Sequence, residues 1–360
     1  MQMPDTSAWN VSLHGTAFLQ YVRTSGARAT YQFGSVNRVM IEAAGPLAGG
    51  LVRLRGMGSV EALTLTGRGA PQPLQVAFIS DGKTITDHAH PSPWIMELAT
   101  SYERELSGGV AVSLYAAAIG EPALGPPAFM HRASAAANPA EPLGHHGQDI
   151  THSSFGVLTL GLARGRVRVE GSAFNDRQPS EATTVFFYRG ARLDSYSARV
   201  TVATGRAWSL AWSYGYLPPA GGGHSHGTIH RAALTAVHDA GPWRATLVYA
   251  ADDPVGGGSP HRTVLAEGER RWNGGHALFA RAEFVQRTAE ELSLVGSVSE
   301  VQDLGALQVG YARAVWRLGG TPVRIGGYAT ATRVPPQLEP FYGSRMPLTI
   351  AAFAQLRRGD

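Results

Sequence analysis

Alternation of apolar and polar residues with a period of two constrains this chain more than any other feature. It recurs about sixteen times in segments of roughly ten residues, with no helical stretch between them. In the first segment, from Trp9 to Val22, Trp9, Val11, Leu13, Ala17, Leu19 and Tyr21 fall on one face. Asn10, Ser12, His14, Thr16 and Gln20 fall on the other. A sheet with one greasy and one polar face crosses a lipid bilayer only when closed on itself, because an open edge leaves backbone groups unsatisfied in hydrocarbon. The pattern therefore predicts an all-β fold: a single closed antiparallel transmembrane β-barrel of about sixteen strands, filling residues 1–360 as one domain.

Composition agrees. Apolar residues make up 44% of the 360 and mean hydropathy is −0.09, as expected where only alternate residues meet lipid. The chain holds no apolar run of about eighteen residues, which excludes a helical span. A soluble β-sandwich would share the alternation. It would not explain many mid-strand Arg and Glu, strictly alternating turn lengths, and aromatics banded at strand ends. Cysteine is absent, so disulfides, thiolate metal sites and Cys nucleophiles are excluded. Lys83 is the only lysine among 31 basic residues. Arginine at this excess follows from a GC-rich genome, or suits paired charges inside a pore wall. No basic run with interleaved aromatics suggests nucleic acid. The first seven residues are short and polar, so an export leader is expected upstream of this chain.

Gly-rich turns at 45–50, 106–109, 163–166, 203–206, 238–242, 271–275 and 317–321 alternate with longer connections near 24–30, 66–93, 120–153, 175–192, 217–227, 251–260, 286–303 and 332–346. Short turns then lie in the periplasm and long loops outside the cell. The third strand is read through Ala62, with Val52, Leu54, Val60 and Ala62 opposite Arg53, Arg55, Ser59 and Glu61. The fourth places Trp94, Met96 and Leu98 on the apolar face. Trp9, Tyr102, Trp208 and Trp243 band by the short turns; Tyr21, Trp94, Tyr216 and Tyr249 band by the long loops, as two interfacial girdles would. Arg313 falls on the apolar face near the short-turn end, where either its stem snorkels to the headgroups or the strand register slips.

The opposite faces carry the candidate pore lining: Arg38, Glu42, Arg53, Arg55, Glu61, Glu97, Glu103, Arg168, Glu170, Arg199, Arg231, Arg244, Glu267, Arg281, Glu283 and Arg324. Mixed charges on such a wall orient polar solutes, or pair off and keep the interior solvated. The two longest loops, 66–93 and 120–153, are expected to fold over or into the lumen. They also concentrate histidine. His88, His90, His145, His146 and His152 are candidate metal ligands, with Asp87 and Asp149 nearby and His224 and His226 further on. Neutral imidazole suits Zn²⁺ or Cu²⁺; solvated loop histidines are the alternative. Ser153 and Ser154 beside His152 and Asp149 supply triad residue types, but no nucleophile elbow surrounds them and no enzyme is expected.

Several blocks extend this reading: HAHPSPWIMELA (88–99), GEPALGPPAFMHR (120–132), NPAEPLGHH (138–146), THSSFGVLTLG (151–161), EGSAFNDRQP (170–179) and LDSYSARV (193–200). On these the chain resembles a family of Gram-negative outer-membrane β-barrel proteins, porin-like, with His-rich extracellular loops. The resemblance runs from HGTAFLQYV (14–22) to PFYGSR (340–345). It implies a fold and an outer-membrane location, not a chemistry. Relatives tend to have HPHD where this chain has His90, Pro91, Ser92 and Pro93, and porins generally end in an aromatic residue where this chain ends Arg357-Arg358-Gly359-Asp360.

Two functions stay open: passive passage of small hydrophilic solutes or ions, and a Zn/Cu-binding barrel with an occluded lumen. A structural or adhesive role is the third. The expected partners are outer-membrane lipids and small polar solutes, with monomer and trimer both open and no cofactor beyond a Zn or Cu ion.

Overall fold

The computed structural model describes residues 8–65, 68–80, 82–177, 192–219, 227–294 and 301–359. Sixteen antiparallel strands form a closed barrel. They are β1 (Asn10–Thr24), β2 (Tyr31–Leu47), β3 (Gly50–Gly58), β4 (Ile95–Glu105), β5 (Val110–Gly120), β6 (Ser154–Arg164), β7 (Val167–Asn175) and β8 (Ser195–Thr204). The second half is β9 (Trp208–Leu217), β10 (Ile229–Ala240), β11 (Trp243–Pro254), β12 (His261–Trp272), β13 (His276–Arg287), β14 (Gln302–Leu318), β15 (Thr321–Arg333) and β16 (Leu348–Arg358). Each strand pairs with its neighbours in sequence, and β16 pairs back onto β1, Leu19 opposite Ala354. Closure removes the free edge.

Because the ladder satisfies the backbone, side chains sort by face. On β1, Val11, Leu13, Leu19 and Tyr21 are exposed outward, while Thr16, Phe18, Gln20 and Val22 are buried inward. The outer surface is a continuous apolar belt that includes Leu160, Leu162, Trp212, Leu234, Leu247 and Ile350. Arg313 lies on it, exposed, opposite His276 and Ile325. Connections such as 48–49, 165–166, 241–242 and 319–320 are short at one end, and the long loops lie at the other. Among the described residues, no helix is long and apolar enough to cross a membrane.

The third and fourth strands differ from the expectation. β3 stops at Gly58, where its register with β4 shifts. The segment beyond turns into α1 (Glu61–Thr64), which packs on β2. Its side chains replace a missing strand: Asn37 N–H donates to Glu61 Oε1 at 2.9 Å, Val60 N–H to Asn37 Oδ1 at 2.9 Å, and Thr64 Oγ1 to the Ser35 carbonyl at 2.6 Å. Glu61 Oε2 also accepts from Ser92 N–H at 2.7 Å. Glu61 thus closes a sheet edge and lines no pore. Met96 is fully buried with Met57, Phe129 and Met130, not on the lipid face. The shifts in register at Met57/Gly58 and Leu98/Ala99 flank it, and one extra residue in a strand reverses the facing of every residue beyond it.

The interior is not uniformly polar. Phe18, Phe279 and Phe353 face inward and pack with Ala137 of the long 121–153 connection. At the long-loop end, Leu74, Leu143, Val285, Leu292, Leu294, Leu304, Val334, Leu338 and Tyr342 form an apolar core over the mouth. A lid with an apolar centre lies over that end of the barrel.

Candidate functional site

Residues 121–153 enter the lumen. The segment is rich in Ala, Pro and Gly, so it builds only short turns: Phe129–His131, Ala133–Ala135, Ile150–Ser153 and the single-turn helix α2 (His145–Gln148). Gly125 shows why small residues are needed. Its φ is +71°, and a Cβ there would sit 2.2 Å from the Gln148 carbonyl oxygen.

A buried segment without regular structure must find partners for its backbone elsewhere. Here the barrel wall supplies them. Ala123 N–H donates to Ser172 Oγ (2.8 Å), Gly125 N–H to Ser213 Oγ (2.9 Å), Ala137 N–H to Glu269 (2.7 Å) and Gly144 N–H to Glu283 (2.9 Å). The carbonyls of Met130, Ala140, Leu143 and His146 accept from Arg38 (3.0 Å), Arg281 (2.9 Å), Arg287 (2.8 Å) and Arg231 (2.9 Å). The Ala136 carbonyl accepts from Gln355 (2.7 Å) and Arg357 (3.2 Å). Strands from β2 round to β16 hold one crossing loop. It is a plug.

The expected pore-lining residues therefore separate into groups. Arg38, Arg231, Arg281, Glu267 and Glu283 hold the plug; Glu267 accepts from Ser134 Oγ at 2.9 Å and pairs with Arg281 at 2.7 Å. Arg55–Glu97 (2.9 Å), Arg168–Glu103 (3.1 Å), Arg199–Glu170 (3.0 Å) and Arg244–Asp239 (3.1 Å) are ion pairs. Glu42, Arg53 and Arg324 are half-buried on their strands, Arg324 in a hollow with Arg357 and Arg358 at the short-turn end. Beside the plug, a cavity of about 40 Å³ is lined by Gln20, Glu141, Arg281, Gln308, Thr330 and Thr349 among others. That is room for a few waters at about 10–15 Å³ each.

Four of the five expected metal ligands gather at the plug's outer end. The rings of His90 and His145 are 6.1 Å apart, His90 and His146 5.7 Å, His145 and His146 5.6 Å, and His145 and His152 5.1 Å. His88 stays apart, its Nδ1 donating to the Thr86 carbonyl at 2.8 Å. His224 and His226 lie outside the described residues. Glu141, which the spacing of the histidines did not suggest, joins the cluster: ligand atoms of His90, Glu141 and His145 lie within 4.8 Å of one another. Its place four residues before His145 in NPAEPLGHH was the available signal.

Asp149 organises this group. Its Oδ1 accepts from His145 Nδ1 at 2.8 Å, and its Oδ2 accepts from Arg132 at 2.6 Å and from Phe129 N–H at 2.7 Å. Burial opposes its charge, but Arg132 and His145 outweigh it and hold the carboxyl well below the usual range. Burial likewise opposes charge on His145, yet Glu141 and Asp149 raise it. Burial, then the charge of His145, pushes His90 down to about 4 and His152 to about 3. Burial pushes Glu141 up to about 7 against the pull of His145.

The triad residue types are otherwise engaged. Ser153 Oγ donates to the Met96 carbonyl at 3.2 Å and Ser154 Oγ to the Thr151 carbonyl at 2.8 Å. His152 Nδ1 donates to the Asp149 backbone carbonyl at 2.9 Å, not to its carboxylate.

Solved structures with the same architecture include an anion-selective porin from Comamonas acidovorans, with a TM-score of 0.59 and 11% identity over 98% of this chain and 100% of that one. The outer membrane channel DcaP of Acinetobacter baumannii superposes with a TM-score of 0.55 and 10% identity over 99% of both chains. A loop L8 deletion mutant of OmpT, an outer membrane protein of Vibrio cholerae, gives 0.56 and 9% over 98% and 100%. The fold is that of outer-membrane porins. No protein-family model matches the chain, and no curated protein matches it.

Proposed function

We propose that this protein is a porin-like barrel of the Gram-negative outer membrane, exported with a leader, that passes only small hydrophilic solutes or ions beside a wall-anchored plug. One observation carries the reading: a small space is left between the plug, the lid and strands β1 and β13–β16, where Gln20, Gln308, Thr330, Thr332 and Thr349 place amide and hydroxyl groups, with Arg281 and Glu283, among apolar neighbours such as Ala140, Leu143 and Ala306. Polar lining lets water and small ions exchange hydration for protein contacts, and the narrow gap excludes larger solutes. The apolar outer belt supports residence in lipid. In planar bilayers the purified barrel is expected to give small stepwise conductances that grow several-fold when residues 133–140 are replaced by a short Gly-Ser bridge. Silence from both proteins sinks this reading.

A second reading is favoured by a separate observation, the convergence of His90, Glu141 and His145. It makes the outer end of the plug a metal-binding site in a member of a His-rich barrel family.

A further inference from the structure

His90 comes from the lid loop, and Glu141 and His145 come from the plug, two segments that share no strand. His145 is fully buried, and its Nε2 has no hydrogen-bond partner. A buried ring nitrogen in that state costs desolvation energy unless something binds it. Its other nitrogen is held by Asp149, which is locked in turn by Arg132 and the Phe129 N–H. A carboxylate behind a histidine fixes the tautomer so that the opposite nitrogen presents its lone pair, the arrangement that supports metal-ligating histidines. On His90, Nδ1 donates to the Pro91 carbonyl at 3.1 Å, so a metal would take Nε2.

We propose that His90, Glu141 and His145 bind one Zn²⁺-class ion, with Asp149 as the positioning residue, and that this ion staples the lid loop to the lumen plug. The inference rests on the metal-binding reading above and adds its ligand set and its consequence. Two imidazoles and a carboxylate are the donor set of an open zinc site, whose fourth position takes water. Zinc bonds of about 2.0–2.2 Å need donor atoms about 3.3 Å apart. The donor atoms here lie within 4.8 Å of one another, so the ion would draw them closer together. His88 and His152 are not ligands here. Neither has a ligand atom converging on Glu141 and His145 as His90 does, and His88 belongs to the ribbon of Ala70–Pro71 with His88–Ala89.

The test uses the full barrel in detergent after chelator treatment, with Co²⁺ as the optical probe and Zn²⁺ as competitor. The expected result is one Co²⁺ per barrel, displaced by Zn²⁺. His90→Ala, Glu141→Gln and His145→Ala should each weaken it at least tenfold, Asp149→Asn about 10–100-fold, and His88→Ala not at all. No Co²⁺ uptake by the wild-type barrel, or equal uptake by the three ligand variants, overturns the site. The staple has its own readout, because Lys83 is the only lysine and lies in the lid loop. A lysine-specific protease therefore cuts the chain at one place, and Zn²⁺ should slow that cut at least fivefold in wild type but not in His90→Ala. Binding without protection overturns the staple. Conductance enters neither readout, so a silent barrel that binds Co²⁺ sinks only the channel reading, a conducting one that does not sinks the metal-binding reading and this site together, and binding that the three ligand variants leave unchanged sinks this ligand set alone.

Discussion

In the barrel wall, Leu160 sits opposite Gly171 on one side and Leu114 on the other, and its backbone is satisfied by adjacent strands. In the plug, Ala137 and Ala140 lie in no ladder. Their backbone groups go to Glu269 and Arg281, wall side chains 132 and 141 residues away. The wall spends its side chains on choosing between lipid and lumen, and the plug leaves its own small side chains inert and borrows those of the wall. A charged residue facing the lumen is therefore as much a cap for a crossing loop as a surface for solutes.

This contrast is tested most strongly at Arg281, which pairs with Glu267 at 2.7 Å while both are almost fully buried, and which holds the Ala140 carbonyl. Arg281→Leu strands a buried carboxylate and is expected to cost about 3–5 kcal/mol. Urea unfolding in lipid vesicles reads the loss, and bilayer recordings should show larger conductance as the plug loosens. An unchanged stability would mean that the wall does not hold the plug. On the lipid side, Leu160→Arg on the exposed belt should cost about 2–4 kcal/mol in the same assay, with plug and conductance unaffected. Ala137→Leu overfills the contact with Phe18, Phe279 and Phe353. A penalty of about 1–3 kcal/mol is expected, and tolerance of leucine would show that the plug is loosely packed.

The smallest effect concerns Glu121, where the loop leaves β5. Burial pushes its carboxyl up to about 7 against the pull of Arg199, with Glu97 and Asp149 adding to the push and Arg55 opposing it. A carboxyl raised in this way favours the fold while protonated. That advantage is complete below its ordinary value of 4.5 and is lost as pH rises through about 7. Glu121→Gln should match the wild type at pH 5 and melt higher at pH 8, with heat-dependent gel migration as the measure. A gap that closes with rising pH contradicts the assignment.

Much of the wall was legible because its cause is local. Alternation places Leu13 outward and Thr16 inward wherever the pleat is regular, and Gly-rich turns mark the short ends. The reading failed at Met96 and Glu61, where register shifts and a missing strand segment break the period. Histidine density pointed to the region where His90 and His145 come together but not to Glu141 beside them, since a carboxylate in a Pro-rich loop carries no periodic signal.

The amino-acid sequence by itself determined the sheet, its two faces and the asymmetry of its ends, because each depends on neighbours one or two residues apart. Tertiary structure alone decided that loop 121–153 crosses the lumen, which guanidinium caps which carbonyl, and that His90 meets Glu141 and His145. Those contacts join residues 49 to 221 positions apart, and only barrel closure brings such distant groups within hydrogen-bonding reach.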